Sequence, residues 1–292
     1  MLNSEEAILG SKELDHLIRL LDDEDEKIYG NIRERFISYG DLSSEYLKNF
    51  TEDDNLLLRD RAKEIISTIN IDKLEKKFQE LSSAKNILED AVFLIAEFGY
   101  PGYDHLKYKR MVDRMADDIR RNLTAVRGDY DGIPAISKLN AINSFLFEEK
   151  GYAGNKEDYY DTDNSFINRV IDTKLGIPIT LSALYILIAR RLGIPVHGVN
   201  LPGHFIVKYQ DDAGEYFIDP FNQGLIVSRD EAAEFIKNLG MTDEEFENLP
   251  YLNAAEDKDI VLRMLRNLSE NYKSKKDDVK AAQVERLMLA LI

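Results

Sequence analysis

The chain of 292 residues contains no cysteine and no tryptophan. The absence of cysteine excludes disulfide bonds, thiolate metal ligands and catalysis by a cysteine nucleophile. Long apolar runs are also missing: the longest, residues 181–189, is far shorter than the roughly 20 residues that cross a bilayer. Residues 1–15 contain neither the basic segment nor the apolar stretch of a signal peptide. These absences predict a cytoplasmic protein that does not enter a membrane.

Basic residues are scarce relative to acidic ones. The chain has 38 lysine and arginine residues against 54 aspartate and glutamate residues, which gives a net charge of −16. Such an excess repels nucleic acid phosphates and anionic lipid headgroups, and no run of basic residues opposes it. We therefore expect neither nucleic acid nor a membrane among the partners. The composition, 44% hydrophobic and 32% charged, is otherwise that of an ordinary soluble protein.

Residues 1–98 have the pattern of a helical region. Apolar residues recur at helical spacing over residues 12–39, and the acidic run 22–26 separates two helices and supplies caps for the second. A similar unit follows about thirty residues later, a distance found in helical repeat proteins. The pattern fits short HEAT-like helix pairs and an irregular helical bundle equally well.

The second half changes from helices to strands. Residues 179–192 are almost entirely apolar, which predicts an internal helix. We predict short strands at 196–201, 204–209, 215–219 and 225–227, and helices again after about residue 230. Helices followed by a run of antiparallel strands indicate the α+β class. The last helix leaves an apolar face over residues 287–292, which needs cover from another domain face, another chain or further residues. We predict a protein partner, and self-association through the C-terminal helices is an open alternative.

The predicted hairpin over residues 204–219 brings a histidine close to an aspartate. With a four-residue loop between Tyr209 and Gly214, His204 lies directly opposite Asp219. Opposed Cβ atoms are roughly 4.5–5.5 Å apart, so the carboxylate can reach the imidazole. A carboxylate on one ring nitrogen fixes the tautomer and raises the basicity of the other nitrogen, as in a catalytic triad. Such a pair can also have a purely structural role, in which it stabilises one end of a sheet.

Longer motifs surround this pair. Residues 151–209 read GYAGNKEDYYDTDNSFINRVIDTKLGIPITLSALYILIARRLGIPVHGVNLPGHFIVKY, and residues 217–224 read FIDPFNQG. The segment resembles the transglutaminase-like superfamily, and more closely its bacterial branch with an N-terminal helical region and C-terminal tetratricopeptide repeats. The resemblance implies a papain-like core with a small antiparallel sheet on a buried helix. It divides the chain into a helical region (1–98), the transglutaminase-like core (99–235) and C-terminal helices resembling one tetratricopeptide unit (236–292).

The resemblance also assigns site positions. Active members of the superfamily present a cysteine at the N-terminus of the buried helix, and this position corresponds to Pro178. Their histidine and aspartate correspond to His204 and Asp219. The chain therefore keeps the dyad and lacks the nucleophile, because a proline ring has no acidic hydrogen and no nucleophilic atom.

Two hydroxyl groups lie near the mapped position. Thr180 is two residues further along, on another side of the helix, whereas Ser182 is back on the same face about 5.4 Å deeper. Ser182 is therefore the better candidate nucleophile. A buried serine in a helix, however, commonly bonds to the carbonyl one turn earlier.

Other polar residues also have two interpretations. Asn164 lies at the predicted start of the preceding helix. It serves there either as the N-cap of that helix or as a polar residue of the site. Tyr159 and Tyr160 either line the mouth of a pocket or pack within their loop. His197, His204 and Asp219 do not have metal-ligand spacing, so we predict no metal, and nothing in the sequence indicates a cofactor.

Two functions remain open. The first is a non-catalytic transglutaminase-like protein that serves as a binding or regulatory scaffold through its helical arms; the missing cysteine favours it. The second is a hydrolase of altered chemistry in which the His204–Asp219 dyad activates water or Ser182. The retained dyad favours this second function, since a purely structural core could replace the pair with packing residues.

Overall fold

Two compact units follow one another along the chain, residues 1–77 and residues 78–292. The structure is a computed structural model, and it describes residues 13–211, 214–237 and 252–292. Its second unit contains the predicted core together with the C-terminal helices and the helix preceding residue 99. The boundaries at residues 98 and 235 stay predictions. The part of the predicted C-terminal helical stretch that falls on residues 238–251 lies outside the described residues.

The first unit is helical, as its apolar periodicity predicted. Its helices are α1 (Glu26–Tyr39), α2 (Asp41–Leu47) and α3 (Leu56–Leu81). Asp25 caps α1, because its carboxylate accepts from the backbone N–H groups of Lys27 and Ile28 at 2.8 and 3.4 Å. The acidic run therefore begins a helix where expected. Phe36 and Ile65 are fully buried in the apolar cluster of this unit. The HEAT-like arrangement stays a prediction.

The second unit is built from eight helices among the described residues, with one of them at its centre. They are α4 (Leu88–Gly99), α5 (His105–Arg127), α6 (Ala135–Asn143), α7 (Ile167–Thr173), α8 (Pro178–Arg191), α9 (Arg229–Lys237), α10 (Asp257–Ser274) and α11 (Asp278–Leu291). Every residue of α8 from 178 to 189 is buried, which confirms the predicted internal helix. In the described part of the chain, no helix combines the length and apolarity needed to cross a membrane.

The strands form a small antiparallel sheet and one separate pair. The pair is β1 (Ala153–Gly154) with β2 (Leu175–Gly176), and the sheet comprises β3 (Val196–Leu201), β4 (His204–Asp211), β5 (Gly214–Asp219), β6 (Leu225–Val227) and β7 (Ala254–Ala255). The five strands of the sheet lie in the order β6-β5-β4-β3-β7, and β3 and β4 pack on α8. This confirms the α+β class and the sheet on a buried helix. The sequence did not predict β1, β2 or β7.

The predicted register of the β4–β5 hairpin is wrong by two residues. Val207 pairs with Ile218 rather than with Tyr216, and the ladder continues to Asp211 and Gly214. Two additional residue pairs at the end of the hairpin extend the ladder into two of the four residues of the expected loop. Because side chains alternate with a period of two, a slip of two residues leaves every side chain on its predicted face.

The apolar face near residues 287–292 is largely covered within the chain. Leu287 and Leu291 are fully buried, while Leu289 and Ile292 are 73% and 72% exposed. Helix α11 packs on α10, which covers this face from within the chain. Self-association through these helices therefore stays a prediction without this argument in its favour.

Asp257, the first residue of α10, caps a helix that is distant in sequence. Its Oδ2 accepts from the backbone N–H of Leu88 at 3.0 Å and from Arg190 Nη1 at 3.0 Å. The N-cap residue of α4, Ile87, has no side-chain acceptor, so Asp257 provides a cap that is normally local. The Asp257 side chain is only 14% exposed, and water replaces such bonds poorly.

Replacing Asp257 with alanine should lower the free energy of unfolding by about 2–3 kcal/mol, since it removes a cap and leaves Arg190 without its carboxylate. Chemical denaturation of the full chain measures this loss. Asp259 is an exposed acidic residue in the same first turn, and Asp259→Ala should cost less than about 1 kcal/mol. If the two variants lose the same unfolding free energy, the effect comes from the interaction with the dipole of α10, and the cap on α4 contributes nothing.

Candidate functional site

The structure brings His204 and Asp219 into direct contact. His204 Nε2 lies 2.7 Å from Asp219 Oδ2, and each side chain is 12% exposed. The two residues are not directly opposite each other. Val207 pairs with Ile218, so that continuing the ladder by one residue puts Asp219 opposite Ile206, two residues from His204. His204 and Asp219 meet along a diagonal of the sheet, a distance that longer side chains can span. The same diagonal relation joins Lys208 to Glu215, whose Nζ and Oε1 atoms are 2.8 Å apart.

Asp219 is held by several donors besides the histidine. Its Oδ1 accepts from the backbone N–H groups of Phe221 and Asn222 at 3.0 and 3.2 Å, and its Oδ2 accepts from Asn222 Nδ2 at 2.8 Å. The carboxylate thus caps the short 3-10 helix Pro220–Asn222. Burial alone would raise the pKa of Asp219, but the hydrogen bond and charge of His204, with the bonds from Asn222, outweigh it and lower that pKa. The carboxylate is therefore fixed in orientation and ionised at neutral pH.

His204 is positioned by a tight turn and an aromatic neighbour. Pro202 and Gly203 connect β3 to β4, and Leu201 pairs with His204 across the turn. Gly203 has a φ of +67°, which a Pro-Gly turn of type II requires at its third position. The Phe221 ring lies edge-on to the imidazole with centroids 6.1 Å apart. Nε2 is therefore the ring nitrogen that faces the Asp219 carboxylate.

The segment that follows Asp219 packs against α8 and against the strand pair that leads into this helix. The 3-10 helix Pro220–Asn222, which begins immediately after Asp219, packs on both α8 and β1. The approach is close: a Cβ atom on Gly154 would lie 2.5 Å from the Phe221 ring, so no side chain fits there. Strand β2 pairs with β1 and leads through Ile177 into Pro178 at the first position of α8. Pro178 therefore begins this helix, and its correspondence to the missing nucleophile stays a prediction.

Neither candidate hydroxyl is arranged as a nucleophile. Ser182 is fully buried, and its Oγ donates to the backbone carbonyl of Phe205 at 3.5 Å. The expected bond to the carbonyl one turn earlier is therefore replaced by a long bond to the backbone of strand β4. Thr180 is also fully buried, and its Oγ1 has no hydrogen-bond partner among the described residues.

Asn164 organises a loop and does not cap α7. Its Nδ2 donates to the carbonyls of Asp158 and Tyr159 at 2.7 and 3.2 Å, and its Oδ1 accepts from Asn155 Nδ2 at 3.0 Å. Helix α7 begins at Ile167 without a side-chain cap. The predicted capping role is therefore wrong. Asn164 instead fixes the backbone that carries the two neighbouring tyrosines.

A cleft of about 250 Å³ opens between this loop and helix α10. Tyr159 and Tyr160 lie at its edge with exposures of 37% and 71%, so the tyrosine pair does line a pocket. Gly203 and Ile177 connect the cleft to the dyad and to the start of α8. The remaining lining residues are Ser165, Arg263, Asn267, Glu270, Asn271 and Ser274.

Sequence reasoning missed several residues of this region. Asn222 had a local signal, because Asp-Pro-x-Asn is a capped turn with proline at its first position. Arg263 had none, since it lies far along the chain in a helix that the sequence assigned to another part. In the described residues no group of three or more His, Asp or Glu side chains could hold a metal ion, and the absence of a metal or cofactor stays a prediction.

Sequence comparisons identify a family and several relatives for this chain. The profile of the transglutaminase-like superfamily matches residues 106–266. The chain is 34% identical over 207 residues to a UPF0162 protein of Xylella fastidiosa (strain 9a5c), covering 70% of this chain and 72% of that protein. It is 38% identical over 84 residues to the F-box only protein 21 of Homo sapiens, covering 29% of this chain and 13% of that protein. No solved structure matches the chain.

Proposed function

The chain belongs to the transglutaminase-like superfamily, and on that premise we propose that it is a non-catalytic member, a binding or regulatory scaffold in the cytoplasm. One observation carries the proposal: the chain contains no cysteine. The position that the resemblance assigns to the nucleophile is Pro178, which begins helix α8. The helical arms, α1–α3 and α10–α11, are the surfaces that we propose for a protein partner. The net charge of −16 supports the absence of nucleic acid and membrane partners.

The state of the dyad supports a second candidate, a hydrolase of altered chemistry. His204 and Asp219 are bonded at 2.7 Å, and the carboxylate has three further donors that fix its direction. A base held in this way can activate a water molecule. Ser182 supports this candidate poorly, because its hydroxyl is buried against the Phe205 carbonyl. We favour the non-catalytic function, since the dyad orients a base but supplies no nucleophile.

A comparison of the protein with its His204→Gln variant tests the choice. We expect both to hydrolyse activated esters and peptide amides at the same low rate, because no nucleophile is paired with the imidazole. General base catalysis contributes about 10²–10⁴-fold, so a fall of tenfold or more in the variant would establish the hydrolase and reject the non-catalytic function. Circular dichroism and thermal unfolding of the variant confirm that the comparison is between folded proteins.

A further inference from the structure

We propose that the cleft beside α10 binds the carboxylate end of an extended peptide, with Arg263 as the residue that receives the carboxylate. This names a ligand class for the proposed binding role and rests on that role. The cleft is formed by the tyrosine loop, the approach to His204 and one face of α10.

Arg263 is fixed in place but keeps donors to offer. Its Nη1 bonds to the Asn200 side chain and donates to the backbone carbonyl of Leu201 at 2.8 Å. Its guanidinium also lies over the Phe205 ring at 5.6 Å. In the described segments no acceptor is bonded to Nε or Nη2. The residue is therefore oriented by Nη1, with one edge of the planar fork left for a ligand.

The charge of Arg263 has no carboxylate partner in the part of the chain that the structure describes. Burial lowers the pKa of Arg263, and the nearby Arg266 lowers it further while Tyr159 opposes the shift. Among the residues lining the cleft the carboxylate is Glu270, which is exposed and pairs with Lys273 at 3.0 Å. A half-buried cation without a counterion is costly, because burial removes part of its hydration and no carboxylate of the described residues replaces it. An anionic ligand would offset this cost.

The shape of the cleft favours a chain over a compact ion. Arg263, Asn267, Asn271 and Ser274 follow helical spacing along one face of α10. Eleven residues of helix span about 16 Å, the length of about five extended peptide residues. The Asn267 amide can donate to and accept from a peptide backbone. Asn271 already donates from Nδ2 to the Tyr160 carbonyl at 2.6 Å, and so holds the tyrosine loop against the helix. The tyrosine rings add flat walls that pack against side chains at small entropic cost.

The test uses hexapeptides of varied sequence, each synthesised with a free C-terminal carboxylate and again as the C-terminal carboxamide. Fluorescence anisotropy measures binding of each labelled peptide to the full chain. We expect the peptides that bind to lose at least about tenfold in affinity on amidation, because a charged bidentate pair is replaced by a weaker neutral contact. Equal binding of the two forms, or no binding by any peptide, would overturn the proposal.

Two substitutions locate the site. Asn267→Glu puts a carboxylate one helical turn from Arg263, where it can pair with the guanidinium and support the helix. It should abolish the preference for the carboxylate form while the protein stays folded. Arg263→Lys keeps the positive charge but loses the planar guanidinium, which can form two parallel hydrogen bonds to a carboxylate. It should therefore weaken binding of the carboxylate peptides. Arg266→Gln removes a cation from the same helix outside the cleft lining and should leave the preference intact. Loss of the preference in Arg266→Gln alone would place the site elsewhere.

Mass spectrometry of the bound peptides separates this inference from the proposed function. A carboxylate preference with intact peptide supports both. A carboxylate preference with cleaved peptide supports the cleft and rejects the non-catalytic function. A last comparison uses phosphopeptides with an amidated C-terminus. If they bind the protein as tightly as the carboxylate forms do, and if Asn267→Glu abolishes that binding, the cleft is a phosphate site. That result would overturn the assignment of a peptide terminus.

Discussion

Replacing Asp219 with alanine should lower the free energy of unfolding by roughly 2–4 kcal/mol at neutral pH. The carboxylate is buried and accepts from the backbone of Phe221 and Asn222, from Asn222 Nδ2 and from His204. Its loss would leave these donors buried without an acceptor and remove the cap of the 3-10 helix Pro220–Asn222. Urea denaturation of the full chain, followed by a probe of the second unit, gives the difference.

Asp104→Ala is the matched control for this loss. Asp104 also caps a helix, since it accepts from the backbone N–H of Lys107 at 3.0 Å, but it is exposed. A cap of this kind is worth about 1 kcal/mol. The difference between the two alanine variants therefore reports the burial of Asp219 and its bond to His204. If both variants lose the same unfolding free energy, the contact between His204 and Asp219 adds nothing to the stability that a helix cap provides.

The stability that Asp219 provides should also disappear in acid. The pKa of Asp219 in the folded chain lies below its usual value, which is about 3.9. A group of this kind stabilises the fold above its unfolded pKa, and its contribution is lost as the pH falls through the folded pKa. The gap in unfolding free energy between the protein and Asp219→Asn should accordingly be largest near neutral pH and narrow below about pH 4. A gap independent of pH would mean that Asp219 is not ionised in the fold.

The contact between His204 and Asp219 was predicted from the sequence although the register was wrong. The error was two residues, and an even slip returns both side chains to the same face of the sheet. A slip of one residue would have separated them. Alternation along a strand is thus a firmer guide to which groups share a face than loop length is to which residues are paired.

The misplaced cap has a different physical origin. Asp161 accepts from the backbone N–H of Asp163 at 3.1 Å and caps the 3-10 helix Thr162–Ser165. In a run of Asp, Thr, Asp, Asn and Ser, each residue can cap a helix, and local sequence does not choose among them. Asn164 is then free to hold the tyrosine loop. Arg263 and the Asp257 cap were beyond prediction because their partners are distant in sequence, and only the fold brings them together.

Introducing cysteine at Pro178 should produce a thiol with an unusually low pKa. Cysteine has an ordinary pKa of about 8.5, which falls to about 3.5–7.5 at helix N-termini or beside a protonated imidazole. Position 178 is the first residue of α8, and the resemblance places it beside His204. The chain has no other cysteine, so the ¹³Cβ resonance of the new residue follows its ionisation without ambiguity. We expect a midpoint below about 7.5.

Two further variants distinguish the effect of the helix N-terminus on the thiol pKa from the effect of the imidazole. Ala135 is the first residue of α6, so Ala135→Cys experiences a helix N-terminus without the dyad. Adding His204→Ala to Pro178→Cys removes the imidazole and keeps the helix. If the midpoint of Pro178→Cys falls below that of Ala135→Cys and rises again in the double variant, the scaffold still holds the geometry of a thiol site. The protein then differs from active relatives by its nucleophile, and the proline is a substitution within an intact site. Equal midpoints in all three variants would mean that position 178 does not face His204, and the assignment of the missing nucleophile to Pro178 would be wrong.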